Sequence, residues 1–129
     1  MSGRKIFNSR KGPEARGAYS TAVTAGGLVF ISGQGPVDPK TGDLVKGAVE
    51  DEARRTFDNV KIILEELDLT VDDIVKVTLY LDDIDDFPRV NSIYDDYFGP
   101  VYPARTCIEA GSLPFGMKLE IDLIAVKDS

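Results

Sequence analysis

Arg105 and Cys107 stand two residues apart in the run 104–110, whose β-branched and apolar content reads as a strand. Period-two alternation puts their side chains on one face. Glu120 lies on the polar parity of the following run, 117–126, where Met117, Leu119, Ile121, Leu123 and Ala125 alternate with Lys118, Glu120 and Asp122. If these last two strands pair as a hairpin, a guanidinium, a thiol and a carboxylate lie near one another. A guanidinium fork suits a small carboxylate, because it makes two parallel charge-assisted hydrogen bonds. Against that, a strand-end arginine is usually a solvated charge or a salt-bridge partner. A lone cysteine between Thr106 and Ile108 is most often a small buried hydrophobe, and without a histidine only an adjacent cation could lower its pKa.

Composition narrows the chemistry further. The chain has 129 residues, 15 Lys+Arg, 22 Asp+Glu, one cysteine and no histidine, for a net charge of −7. The absence of histidine excludes Ser-His-Asp and Cys-His nucleophile systems, histidine proton shuttles and imidazole zinc sites. One cysteine allows no internal disulfide and no all-thiolate metal site, so no metal is expected. A net −7 disfavours nucleic-acid binding, which needs lysine and arginine on phosphates. The acidic run 82–86 lacks the ligand and glycine spacing of a calcium loop, and Gly33, Gly35, Gly42 and Gly47 do not form a phosphate-binding pattern. Lys76 sits on the polar side of its strand, with nothing to support a Schiff-base role. No apolar run approaches the ~20 residues that span a bilayer, and the N-terminus lacks a signal-peptide core. The expectation is one cytoplasmic domain over residues 1–129, with no membrane or nucleic-acid partner.

The elements that position these residues follow from periodicity. Strands are expected at 19–24 and 28–34, joined as a hairpin by Gly26-Gly27. Val49, Ala53, Phe57, Val60, Leu64 and Leu67 recur at spacings of three and four, which predicts a helix. Residues 70–73 resemble a capping-box turn. The run 74–81 reads as a strand with Val75, Val77, Leu79 and Leu81 on one face and Lys76, Thr78 and Tyr80 on the other. A second helix should start near Asp86, with Pro88 in its first turn and Phe87, Val90, Tyr94, Tyr97 and Phe98 as its stripe, and end at Gly99-Pro100. This order predicts an α+β layer, two helices on one face of a mixed sheet. The opposite face also carries apolar residues, which predicts that copies of the chain associate.

Several motifs together resemble the YjgF/RidA family. They are Gly17-Ala18-Tyr19-Ser20, the run from Leu28 through Ser32-Gly33-Gln34, Asp38-Pro39-Lys40-Thr41-Gly42, and Asp85 to Asn91 with Tyr94 and Phe98. They continue with Pro103-Ala104-Arg105-Thr106-Cys107-Ile108-Glu109, Leu113-Pro114, and Leu119-Glu120 through Ala125. The match runs from about Arg16 to Val126, with Ala18 where the family usually has proline.

The resemblance implies a chorismate-mutase-like (bacillary type) subunit in a homotrimer with clefts between subunits. It implies cofactor-free hydrolysis of reactive enamines and imines, such as 2-aminoacrylate, 2-iminobutanoate and 2-iminopropanoate, to 2-keto acids and ammonia. By position, Arg105 is implied to clamp the substrate carboxylate and Glu120 to hold or activate water. Tyr19, Ser32, Gly33, Asn91 and Cys107 are implied to line the cleft. A protonated imine is already electrophilic, so the lack of histidine is no handicap. Two other readings stand beside this one: a non-catalytic trimer that binds small carboxylates, and an endoribonuclease or translation inhibitor, which the acidic composition disfavours.

Overall fold

Gly26 and Gly27 take φ of 58° and 78°, the left-handed pair that a two-residue hairpin turn requires. Accordingly β2 (Ala22–Ala25) folds antiparallel onto β3 (Leu28–Gln34). The computed structural model describes residues 3–127. A three-residue strand, β1 (Lys5–Phe7), adds to the outer edge of β2. It is too short to carry a periodic signal, and no strand was expected there. Tyr19 lies in the bend before β2 rather than in the strand.

The helix α1 (Val49–Glu66) begins with Glu50, Asp51 and Glu52, acids that favour the positive end of the helix dipole. It closes when Asp68 turns left-handed at φ 60° and the Leu69 N–H donates to the Leu64 carbonyl at 2.8 Å. The expected stripe of Val49, Ala53, Phe57, Val60, Leu64 and Leu67 is buried throughout. Thr70 and Asp73 form the capping box before β4 (Ile74–Leu81). The helix α2 (Phe87–Phe98) carries Pro88 in its first turn and leads into β5 (Ala104–Glu109). The chain ends in β6 (Leu119–Val126), two residues shorter at its start than expected. Phe57 of α1 packs edge-on against Phe98 and Tyr94 of α2, at 5.3 and 5.9 Å between ring centres.

One mixed sheet results, in the order β1-β2-β3-β6-β4-β5. The last two strands do not form a hairpin. After crossing over through α2, β5 lies parallel to β4 at the sheet edge, while β6 inserts antiparallel between β3 and β4. With both edges paired and one face under the helices, β6 buries Leu119, Ile121, Leu123 and Ala125, which is why its alternation is strict. The face of β4 also departs from expectation. Its register slips between Ile74 and Lys76, and this bulge turns Ile74 inward and leaves Val75 out, 43% exposed. The helix-free face carries Ile6, Val23, Phe30 and Ile124 side by side across four strands. Ile6 and Phe30 remain 51% and 42% exposed there.

Candidate active site

Arg105 pairs in register with Val77, which is fully buried beneath the helices, so its side chain points to the helix side of the sheet. There α2 presents Phe87, Asn91 and Tyr94 at helical spacings of four and three. The Arg105 Nη1 donates to Asn91 Oδ1 at 2.7 Å. Its Cζ stands 4.5 Å from the Tyr94 ring centre and 5.3 Å from that of Phe87. Among the described residues no carboxylate forms an ion pair with Arg105. Cys107 points the same way, partly buried against the core, and lines a shallow pocket with Arg105, Ile84, Asp85, Phe87 and Pro88. Burial pushes the Cys107 thiol up, and the Arg105 charge only partly offsets this. The sulfur is therefore a neutral thiol near pH 7 and a poor nucleophile.

Glu120 pairs with Tyr80 and faces the other way. Burial pushes its carboxyl above the usual range, and the neighbouring Asp122 charge adds to the rise. Asp122 in turn accepts from the Tyr80 hydroxyl at 2.8 Å. A β-bulge in β3 shapes this side. Ile31 pairs with Leu123 and Gln34 with Ile121, so Ser32 and Gly33 together oppose Asp122 alone. A Cβ at Gly33 would fall 2.6 Å from Glu120 Oε2, so only glycine admits the carboxylate this close to the backbone. The Ser32 hydroxyl donates to the Ser20 carbonyl at 2.6 Å, which commits its proton and leaves it an acceptor. Tyr19 is half-exposed, its ring against Gly17. Tyr19, Ser32, Gly33 and Glu120 line one cleft, whose rim includes Phe115 and Met117.

The expected site residues thus fall into two groups. Arg105, Asn91 and Cys107 meet on the helix side, and Tyr19, Ser32, Gly33 and Glu120 meet on the open side. A hairpin cannot unite them, because β4 separates their strands and the two key side chains point to opposite faces. From strand spacing and rise, the Arg105 and Glu120 Cα atoms lie roughly 14 Å apart. Asn91 serves Arg105 directly. Periodicity marks Phe87 and Tyr94 at Arg105 only as core stripe; Asn91 lies outside that stripe and is implied as a cleft residue by the family resemblance alone. Among the described residues no group of acids and thiol could hold a metal ion, and no helix is long and apolar enough to cross a membrane.

A mixed sheet with two helices on one face makes an α+β subunit of the chorismate-mutase-like type; under its helices lies an arginine that no described carboxylate pairs, and on its bare side a half-buried carboxylate. The chain belongs to the YjgF/RidA family: the family model described as Endoribonuclease L-PSP matches residues 9–127. It is 40% identical over 129 residues to the Escherichia coli K12 protein named "Putative reactive intermediate deaminase TdcF", covering 98% of this chain and 99% of that one. Among solved structures it resembles E. coli TdcF with bound serine, with a TM-score of 0.88 at 40% identity over 96% of this chain and 99% of that one. RidA from the Antarctic bacterium Psychrobacter superposes with a TM-score of 0.89 at 35% identity, covering 95% and 98%.

Proposed function

We propose that the protein hydrolyses reactive enamines and imines of small carboxylic acids, among them 2-aminoacrylate, 2-iminobutanoate and 2-iminopropanoate, to 2-keto acids and ammonia without a cofactor. The observation that carries this reading is the open fork of Arg105, a half-buried cation with no carboxylate partner among the described residues, in a protein of net charge −7. Such a group is built to take an exogenous carboxylate. The name of the TdcF relative and the serine bound in its structure support a small amino-acid-like ligand.

In this reading Arg105 fixes the substrate carboxylate and Glu120 accepts a proton from water as the oxygen attacks the iminium carbon. The tetrahedral adduct then takes that proton on nitrogen, its C–N bond breaks and ammonia leaves, while Glu120, again a carboxylate, takes the adduct's hydroxyl proton as the carbonyl forms. The attack needs both groups, and a single chain holds them on opposite faces. The working site therefore lies between copies, one supplying Arg105, Asn91 and Cys107 and the next supplying Glu120, Gly33, Ser32 and Tyr19. A homotrimer closes such a head-to-tail arrangement and covers the apolar row around Phe30. The endoribonuclease description attached to the family suits this chain less well, given its acidic charge and absence of histidine.

The test couples the purified protein to a threonine dehydratase and follows 2-keto acid release. The wild type should accelerate release, and Arg105→Ala should do so about 10–100-fold less well. Equal acceleration by both proteins overturns the reading.

A further inference from the structure

We propose that Phe87 and Tyr94 are positioning residues whose ring faces take the place of a counter-ion for Arg105, holding its guanidinium in line while leaving its fork open. The proposal rests on the reading of Arg105 as the carboxylate clamp. A partly desolvated cation must be compensated. A carboxylate would do so by occupying the very N–H groups that a substrate needs, and would have to be displaced at each turnover. Ring faces act differently. They attract the guanidinium plane through the aromatic quadrupole and use none of its in-plane donors.

The geometry fits this division of labour. Both ring centres lie within cation–π range of Cζ, at 4.5 Å for Tyr94 and 5.3 Å for Phe87. Among the described residues the only side chain that takes a hydrogen bond from the guanidinium is neutral Asn91, through Nη1, and none of them takes one from the other four of its five N–H groups. The Tyr94 hydroxyl is buried and has no hydrogen-bond partner among the described residues, so what Tyr94 offers Arg105 is its ring. Phe87, Asn91 and Tyr94 form one stripe of α2, which presents ring, amide and ring to the β5 edge.

Two independent readouts test the proposal. The first is the Arg105 side-chain Nε–H signal in the ligand-free protein, with its ring-current shift and heteronuclear NOE. The second is the split between KM and kcat in the coupled deaminase assay. In Tyr94→Leu and Phe87→Leu the Arg105 signal should lose its ring-current shift and become mobile. KM should rise about tenfold while kcat stays within about twofold, since the loss is in holding the carboxylate and not in the attack. Tyr94→Phe keeps the ring face and should rescue both readouts. Thermal melts separate this from simple destabilisation, because Tyr94 also packs against Phe57 and Phe98. If Tyr94→Leu does not fold, the partly buried Phe87 decides through Phe87→Leu. A rigid, shifted Arg105 signal in the leucine variants overturns the proposal, as does a Tyr94→Phe variant that behaves like Tyr94→Leu. If the wild type turns over no imine, the clamp reading falls, while the Arg105 signal still decides whether the rings hold the guanidinium.

Discussion

The Arg105 side and the Glu120 side of the sheet are built by opposite means. Arg105 is served by one helix and one strand close in sequence, with Asn91 fourteen positions away, and side-chain chemistry alone arranges it. Glu120 is served by three distant segments, around Tyr19, Ser32-Gly33 and β6, and a backbone irregularity arranges it: the β3 bulge with glycine against the carboxylate. Their electrostatics differ in the same spirit. Ring faces and an amide steady a charged guanidinium, whereas burial and Asp122 push Glu120 toward its neutral form. A clamp should stay charged and a base should be ready to accept a proton, so each environment suits one role.

The largest expected effect falls on the Glu120 side. Glu120→Gln should lower kcat by about 10²–10⁴-fold, the usual contribution of a positioned general base. A base works only when ionised, so activity should rise with pH through the Glu120 pKa. Burial places that acid limb above the ordinary carboxylate value of 4.5. The pH–rate profile of the wild type should show this limb, and that of Glu120→Gln should lack it. A profile unchanged by the substitution would remove Glu120 from the chemistry.

Arg105→Ala should cost less, about 10–100-fold in kcat/KM, since it deletes a charge-assisted interaction of about 1.5–3 kcal/mol. The two variants also test the division between faces. If the site joins Arg105 of one copy to Glu120 of the next, subunits of Arg105→Ala and Glu120→Gln co-refolded in equal amounts should regain about a quarter of wild-type activity by random assembly. Mixtures no more active than the separate variants would mean that the two faces do not combine.

That division is also where sequence reasoning reached its limit. Local signals were legible. The glycine pair marked the β2–β3 turn, three-and-four spacing marked both helices, and the Arg105–Cys107 interval placed those two on one face. What two-residue periodicity cannot carry is which strand lies beside which. The strict alternation of β6 is equally compatible with pairing to β5, and only the α2 crossover, which delivers β5 parallel to β4, sends β6 to the sheet centre. Bulges are invisible for a related reason: one added residue at Val75 or at Ser32-Gly33 reverses a face without changing composition.

A smaller effect is expected beneath the Glu120 cleft, where Glu66 of α1 tethers the loop that leads toward Tyr19. Burial pushes its carboxyl up, but the Ser9 hydroxyl and the N–H groups of Arg10, Lys11 and Gly12 outweigh this and hold it below 4.5. A lowered folded-state pKa contributes stability at neutral pH, and that stability is lost as pH falls through the folded value. Glu66→Gln should therefore cost about 1 kcal/mol at pH 7 by urea denaturation, and the difference from wild type should shrink toward zero in acid. A constant difference across pH would assign the loss to packing instead.

The smallest effect should have the opposite sign. Two non-glycine residues adopt positive φ among those described, Asp68 at 60° and Phe115 at 58°. Asp68 closes a helix, where a short polar side chain tolerates the left-handed turn. Phe115 has no such excuse: it is bulky, 82% exposed and set on the rim of the Glu120 cleft. Its loop is held firmly all the same, because the Lys118 N–H and ammonium both donate to buried Glu52, at 3.0 and 3.2 Å. Within a single chain nothing is gained from the ring, so Phe115→Asn should relieve about 0.5 kcal/mol of left-handed strain and raise Tm by about 2 °C. If the variant instead melts lower, and only at concentrations where copies associate, the ring has found its partner on another subunit. The strain would then belong to the assembled cleft, on the one side of the sheet where backbone conformation does the positioning.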